Sequence, residues 1–131
     1  MNYLAIAVAA AFYMVLGALW YSPLMFCNVW CNSIGKTKEE VEQKSSLFNY
    51  LWATILSFLA AYGIARVNYW VGADSLATTL KVSLLLGVCF VLTTMGVNDI
   101  FEARPRSLTL VNIFYHIVGF VVMGIVIGLW Q

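Results

Sequence analysis

The sequence predicts an all-α, polytopic membrane protein with four transmembrane helices and a short interfacial helix after the first. Of its 131 residues, 63% are hydrophobic and only 10% are charged, whereas a soluble domain carries about 25% charged residues. The charges are also clumped, and a transmembrane helix needs roughly 20 mainly apolar residues. The long uncharged stretches that remain are 1–35, 45–65, 82–98 and 107–131.

This composition excludes several classes of protein. A soluble enzyme, a disordered chain and a disulfide-rich scaffold are all incompatible with so apolar a sequence. The formal net charge of +1 provides no broad field that would attract nucleic acid. We therefore expect the lipid bilayer as a partner, and no nucleic acid.

The three cysteines do not predict a metal site. Cys27 and Cys31 lie four residues apart and share a helix face, but no His or further Cys accompanies them, so the pair falls short of a zinc set. Cys89 lies in an apolar run and is expected to be a small buried side chain. We expect no metal and no cofactor.

The first transmembrane helix is predicted at about residues 2–21, in an alanine-rich stretch without charges. It ends in Trp20 and Tyr21. Such an aromatic pair is typical of the boundary between hydrocarbon and lipid headgroups. We expect both side chains to be anchors at the membrane interface.

A short interfacial helix is predicted over residues 23–34. Ser22 is a good N-cap and Pro23 suits the first helical position, while Gly35 suits the C-terminal cap. Large apolar side chains recur every four residues between them, which is typical of a helix that lies in the interface. These side chains are Phe26, Trp30 and Ile34, and Trp30 is expected to be a third anchor.

A polar helix is predicted over residues 38–46. Thr37 and Glu40 have the spacing of a capping box, and Glu40 and Lys44 are i,i+4 partners of opposite charge. No Gly or Pro follows before Gly63. This favours a continuous helix that runs from the polar stretch straight into the second transmembrane helix, at about residues 47–69.

The third transmembrane helix is predicted at about residues 76–97, after a tight turn in which Asp74 or Ser75 provides the cap. Its helical pattern extends through Glu102, and it must stop near Arg104 because the residue before a proline avoids helical angles. The fourth transmembrane helix fills about residues 107–130.

The distribution of Lys and Arg predicts the topology of the chain. Positive residues favour the cytoplasmic side of a membrane, and the other side has only Arg66 and Lys81 near helix ends. We expect both termini outside the cytoplasm of a cell membrane, the inner membrane in a Gram-negative cell. The two predicted cytoplasmic connections carry Lys36, Lys38, Lys44, Arg104 and Arg106.

Polar side chains concentrate toward the predicted cytoplasmic ends of the third and fourth helices. His116, the only histidine, lies roughly 13 Å along the fourth helix, close to the middle of the bilayer. Ionisable residues at such depth are candidates for a site that takes an ion, a proton or a ligand. The candidate cluster consists of Asn98, Asp99, Glu102, Asn112 and His116.

Three interpretations of His116 remain open. The residue is a neutral partner in a hydrogen bond between helices, part of a proton or solute path, or a metal ligand together with Glu102 or Asp99. One imidazole and distant carboxylates make a poor metal site, which disfavours the last. For the acids and bases of the nearby connection, a solvated ion-pair cluster that sets topology is the ordinary interpretation.

Small residues four apart form a second pattern, which lets helix backbones approach closely. In the fourth helix they are Gly124 and Gly128, with Gly119 one turn earlier, and in the first they are Ala7 and Ala11. The pattern has two interpretations. The residues pack the helices within one four-helix bundle, or they form the interface of an oligomer.

Two groups of residues resemble a known family. Residues 17–26, which read GALWYSPLMF, are followed by Trp30 and Gly35, and this half is similar to the signature of small bacterial membrane proteins called the domain of unknown function 1761 family. That resemblance implies four transmembrane helices and no established activity. The second half of the chain also resembles the pattern of this family. The residues that carry the resemblance there are Gly96, Asn98, Phe101, Glu102, Arg104, Leu108, Asn112, Gly119, Gly124 and 128–130.

No nucleophile elbow, metalloprotease motif or phosphate-binding loop occurs, so we expect no enzymatic activity. The favoured function is assembly, as a homo-oligomer or as an accessory subunit of a larger membrane complex. The alternative is a small channel or transporter with a polar path that forms between protomers. That path would include His116, Asn112, Asn98 and Glu102.

Overall fold

Helices make up most of the chain, and four of them are long and apolar enough to cross a membrane. The computed structural model describes all 131 residues and contains no β-strand. The predicted all-α, polytopic class is confirmed. In chain order the helices are α1 (Tyr3–Trp20), α2 (Cys27–Ile34), α3 (Lys38–Lys44), α4 (Leu47–Trp70), α5 (Leu76–Phe101) and α6 (Arg106–Leu129).

Side-chain caps fix where several helices begin and end. The capping box at Thr37 is present: the Thr37 hydroxyl accepts from the Glu40 N–H at 3.2 Å, and the Glu40 carboxylate accepts from the Thr37 N–H at 3.3 Å. Ser75 rather than Asp74 is the N-cap of α5. Gly35 ends α2 at a φ of 70°, a left-handed conformation that glycine adopts without strain.

The interfacial helix begins at Cys27, so its predicted start at residue 23 is wrong. The chain turns back at the end of α1 instead, because the Phe26 N–H donates to the Trp20 carbonyl at 3.0 Å and the two rings pack 4.7 Å apart. The Ser22 hydroxyl donates to the Leu19 carbonyl at 2.6 Å. Ser22 therefore closes the end of α1 and does not cap α2.

The polar helix does not continue into the second transmembrane helix, contrary to the prediction. Helix α3 ends at Lys44, and Ser45 and Ser46 are both extended. The Ser46 hydroxyl accepts from the Asn49 N–H at 3.2 Å and so caps α4. Serine favours caps over helix interiors because its hydroxyl competes for backbone groups.

Helix α5 continues past residue 97, the predicted end of the membrane span, to Phe101, in agreement with the helical pattern predicted through Glu102. It contains a π-helical segment at Gly87–Leu92. Such a segment accommodates about one extra residue in the helix. The Thr93 and Thr94 hydroxyls follow it and donate to the Cys89 and Phe90 carbonyls at 2.7 and 2.6 Å. The helix stops before Ala103, whose φ of 53° is left-handed.

The four long helices form a ring with one weak edge. Helix α6 packs along both α1 and α5, and α1 packs along α4. Helix α4 contacts residues 76–86 of α5 but barely touches residues 87–101. From residue 47 to residue 56, every side chain except Ala53 is consequently exposed. The core is formed by Ile6, Ala9, Ala10, Tyr13, Ala61, Ile64, Ala65, Met123 and Ile127.

The glycines of α6 pack within the chain. A methyl group added to Gly124 would collide with the Ser83 side chain of α5, and one added to Gly128 would lie 2.8 Å from Leu76 Cδ1. Ala7 and Ala11 lie on the outer face of α1 and are exposed, as is Cys89 on α5, which was expected to be buried. The glycines of α6 therefore pack against other helices of the chain, whereas the alanines of α1 are exposed.

Candidate functional site

His116 is half-buried on α6, where its Nδ1 atom forms a hydrogen bond with the Tyr13 hydroxyl of α1. The ring of Tyr13 stacks on Tyr115, with centroids 5.1 Å apart. The Tyr115 hydroxyl in turn donates to the Tyr13 carbonyl at 3.2 Å. Gly119 leaves the space that the Tyr13 ring fills, because any side chain there would collide with it.

A second pair of contacts joins the end of α1 to α6. The Tyr21 hydroxyl donates to Asn112 Oδ1 at 2.7 Å, and the Trp20 indole N–H donates to the Val111 carbonyl at 3.1 Å. We call the side chains of Tyr13, Trp20, Tyr21, Asn112, Tyr115 and His116 the aromatic cluster. It occupies the α1–α6 seam and supplies each of the polar groups named here with a hydrogen-bond partner.

The connection between α5 and α6 holds a separate group of charged residues. Asp99 is buried and accepts from the Thr109 hydroxyl at 2.6 Å. Arg104 Nε lies 3.7 Å from Asp99 and 2.6 Å from the exposed Glu102. We call Asp99, Glu102, Arg104 and Thr109 the loop cluster. Its hydrogen bond between Asp99 and Thr109 fixes α5 against the first turn of α6.

The comparison with known families covers nearly the whole chain. A family model described as a protein of unknown function (DUF1761) matches residues 4–128. The chain belongs to the DUF1761 family. Neither a curated protein nor a solved structure matches this DUF1761 protein. The roles of its residues therefore follow from their geometry.

The predicted polar cluster of this DUF1761 protein is divided in the structure. Asn112 and His116 belong to the aromatic cluster, whereas Asp99 and Glu102 belong to the loop cluster. Asn98 is exposed on α5 and belongs to neither. No three His, Cys, Asp or Glu side chains converge as metal ligands would. The five residues predicted as one site thus do not share one network of hydrogen bonds and ion pairs.

The three predicted anchors of the DUF1761 protein lie close together. Trp20 is only 8% exposed, so its ring lies inside the protein rather than at its surface. Trp30 and Tyr21 are half-buried and pack with centroids 4.8 Å apart. The three rings therefore fix the end of α1 against α2 and α6.

Sequence reasoning missed Tyr13 and Tyr115, the two side chains that surround His116 most closely. One signal was available for Tyr13. It lies inside an apolar helix, about two turns before the aromatic pair at the helix end, where a tyrosine hydroxyl needs a partner from another helix. The same signal was available for Tyr115, which lies inside the apolar fourth helix.

Proposed function

We propose that this DUF1761 protein is a non-enzymatic membrane protein that acts by assembly, as a homo-oligomer or as an accessory subunit of a larger membrane complex. Its location would be the cell membrane, the inner membrane in a Gram-negative cell, with both termini outside the cytoplasm. Its partners would be the bilayer and other membrane helices. The observation that carries the proposal is the exposed pair Ala7 and Ala11 on the outer face of α1.

Ala7 and Ala11 lie one turn apart, so together they make a shallow, smooth patch on the helix surface. Small residues with this spacing allow a second helix to approach closely in lipid, where van der Waals contact drives association. The exposed Leu4 and Val15 flank the patch and provide apolar contact area. The glycines of α6 cannot serve in this way because α1 and α5 already cover them.

The environment of His116 supports assembly over the polar path. His116 is engaged with Tyr13 and lines none of the five main cavities. Asn98 and Glu102, which the path would need, are exposed and lie outside the aromatic cluster. Within a single chain, a transported solute would therefore meet no continuous row of polar groups.

The test is the double variant Ala7→Leu/Ala11→Leu in lipid nanodiscs, with the mass of the assembly measured by native mass spectrometry. We expect the wild type to be oligomeric and the variant to shift toward monomer, because two added isobutyl groups keep the helices apart. Ala77→Leu, at an exposed alanine of α5, is the matched control and should leave the mass unchanged. A monomeric wild type would refute the homo-oligomer, and an unaffected double variant would refute the α1 interface.

A further inference from the structure

Two buried thiols face each other on α2. Cys27 and Cys31 are 3% and 6% exposed, and their Sγ atoms lie 3.8 Å apart without a disulfide bond. Their positions on successive turns of one helix fix this arrangement. The third cysteine, Cys89, is exposed on α5 and provides a natural comparison.

The thiol pair has open space on two sides. Both cysteines line a cavity of about 600 Å³ bounded by α1, α2, α3 and the start of α4. Both also line a second cavity, of about 330 Å³, that faces the connection before α3. Met14 lines the larger cavity and Lys38 lines both. A small ion therefore has room beside sulfur atoms and near a positive side chain.

The spacing of the sulfurs suits a metal ion. With a metal–sulfur bond of about 2.3 Å, two sulfurs separated by 3.8 Å subtend an angle of about 110° at the metal. This is close to the tetrahedral angle, so the sulfurs need not move to share one ion. A wider angle requires them to separate by less than about 1 Å, which a small rotation of the side chains provides.

The ligand set discriminates among metals. A structural zinc site closes with four ligands, but no third His, Cys, Asp or Glu joins the two thiols. Thiolate and thioether sulfur select the cuprous ion, which two or three sulfur ligands satisfy. We propose that Cys27 and Cys31 bind one cuprous ion as thiolates, with Met14 as the third ligand.

Binding converts two thiols to thiolates. Two S–H bonds break, two S–Cu bonds form, two protons leave, and copper remains monovalent throughout. Burial raises the pKa of the Cys31 thiol, and its hydrogen bond with Cys27 acts in the same direction. Because each sulfur binds the ion as a thiolate, two protons should be released for each ion bound. The ion and its two thiolates would carry a net charge of −1. Lys38 lines both cavities and forms a salt bridge of 3.7 Å with Glu42, which lines the larger one.

The test is an anaerobic titration of the nanodisc-embedded protein with cuprous ion in competition with a chromogenic cuprous chelator. We expect one tightly bound ion in the wild type and in Cys89→Ser. In Cys27→Ser and Cys31→Ser we expect at least a 100-fold loss of affinity. In the wild type and in Cys89→Ser, proton release measured in weak buffer should be two protons per ion.

Further variants separate loss of ligand from loss of fold. Cys27→Ala and Cys31→Ala avoid a buried hydroxyl, and both should keep the helical circular dichroism and thermal midpoint of the wild type while losing the ion. Met14→Leu preserves volume and should weaken binding by about tenfold without changing the proton count. Equal copper affinity in the Cys27, Cys31 and Cys89 variants, or failure of the wild type to compete with the chelator, would overturn the proposal. This test does not depend on oligomeric state, so its outcome is independent of the assembly proposal.

Discussion

At the scale of single residues, the pairing of His116 with Tyr13 dominates the α1–α6 seam. A polar side chain inside a membrane protein needs a partner because hydrocarbon offers none. Tyr13 meets this need with its hydroxyl and also fills the space above Gly119 with its ring. One side chain thus serves both the hydrogen bonding and the packing of the seam.

Tyr13→Phe isolates the hydrogen bond, because the ring and its stacking on Tyr115 remain. We expect a loss of about 1 kcal/mol in the free energy of unfolding, within the range of hydrogen bonds between transmembrane helices. Thermal unfolding in nanodiscs measures the change. The control is Tyr3→Phe, at an exposed tyrosine of the same helix, which should have no effect. Equal stability of the two variants would show that the hydroxyl contributes nothing.

The five polar residues predicted as a site were recognised by their type and by their concentration toward the ends of the third and fourth helices, and the structure divides them. Their partners were not predictable. Tyr13 and His116 are 103 residues apart in the chain, and Tyr21 and Asn112 are 91 apart. No local pattern connects such residues, so only the packing of α1 on α6 shows that His116 and Asn112 have partners from α1.

At the scale of helices, local signals in the sequence predicted some ends well and others badly. Thr37, Ser75 and Gly35 follow capping rules that depend on neighbouring residues alone, and each is found as predicted. The start of α2 depends on Trp20, which packs on Phe26 and holds the chain in a turn. That contact belongs to tertiary structure, so the Ser-Pro signal was overridden.

The seam between α1 and α6 provides a test of helix packing. Gly119→Ala adds one methyl group against the Tyr13 ring, and we expect it to lower the free energy of unfolding by about 1–3 kcal/mol, the usual cost of overpacking. Gly63→Ala on α4 meets nothing within 4 Å. It should be neutral or stabilising by up to about 1 kcal/mol, because alanine is the better helix former. The thermal midpoint of Gly119→Ala should therefore fall below that of the wild type. The midpoint of Gly63→Ala should stay the same or rise.

Two observations would contradict this view of the seam. One is a Gly119→Ala variant as stable as Gly63→Ala, which would show that the Tyr13 ring yields without cost. The other is a loss of stability at Gly63, where the structure leaves open space. Either result would show that the stability of the bundle does not depend on close contact between α1 and α6.

At the scale of the whole molecule, the charged connections should define the orientation in the membrane. The exposed Lys38 lies in the connection before α4, and the excess of positive residues predicts that this connection faces the cytoplasm. In a Cys89→Ser background, a cysteine introduced by Lys38→Cys should resist a membrane-impermeant thiol reagent added to intact cells. It should react once the cells are opened.

The matched control is Asp74→Cys, at an exposed residue in the turn at the opposite end of the bundle. This cysteine should react in intact cells because its turn is predicted to face the outside. The reverse pattern of labelling would place both termini in the cytoplasm. It would leave the fold unchanged but assign the loop cluster to the opposite side of the membrane.

The π-helical segment of α5 has a consequence for the phase of that helix. Because it accommodates about one residue more than a regular helix would, residues after Leu92 are rotated by about 100° relative to an uninterrupted α-helix. With this rotation, Asp99 is buried against Thr109 while Asn98 is exposed. Deleting one residue from Gly87–Leu92 would convert the segment to regular α-helix and leave Asp99 facing α6, whereas a regular α-helix of unchanged length would turn Asp99 away. The extra residue therefore determines which polar side chain joins α5 to its neighbour.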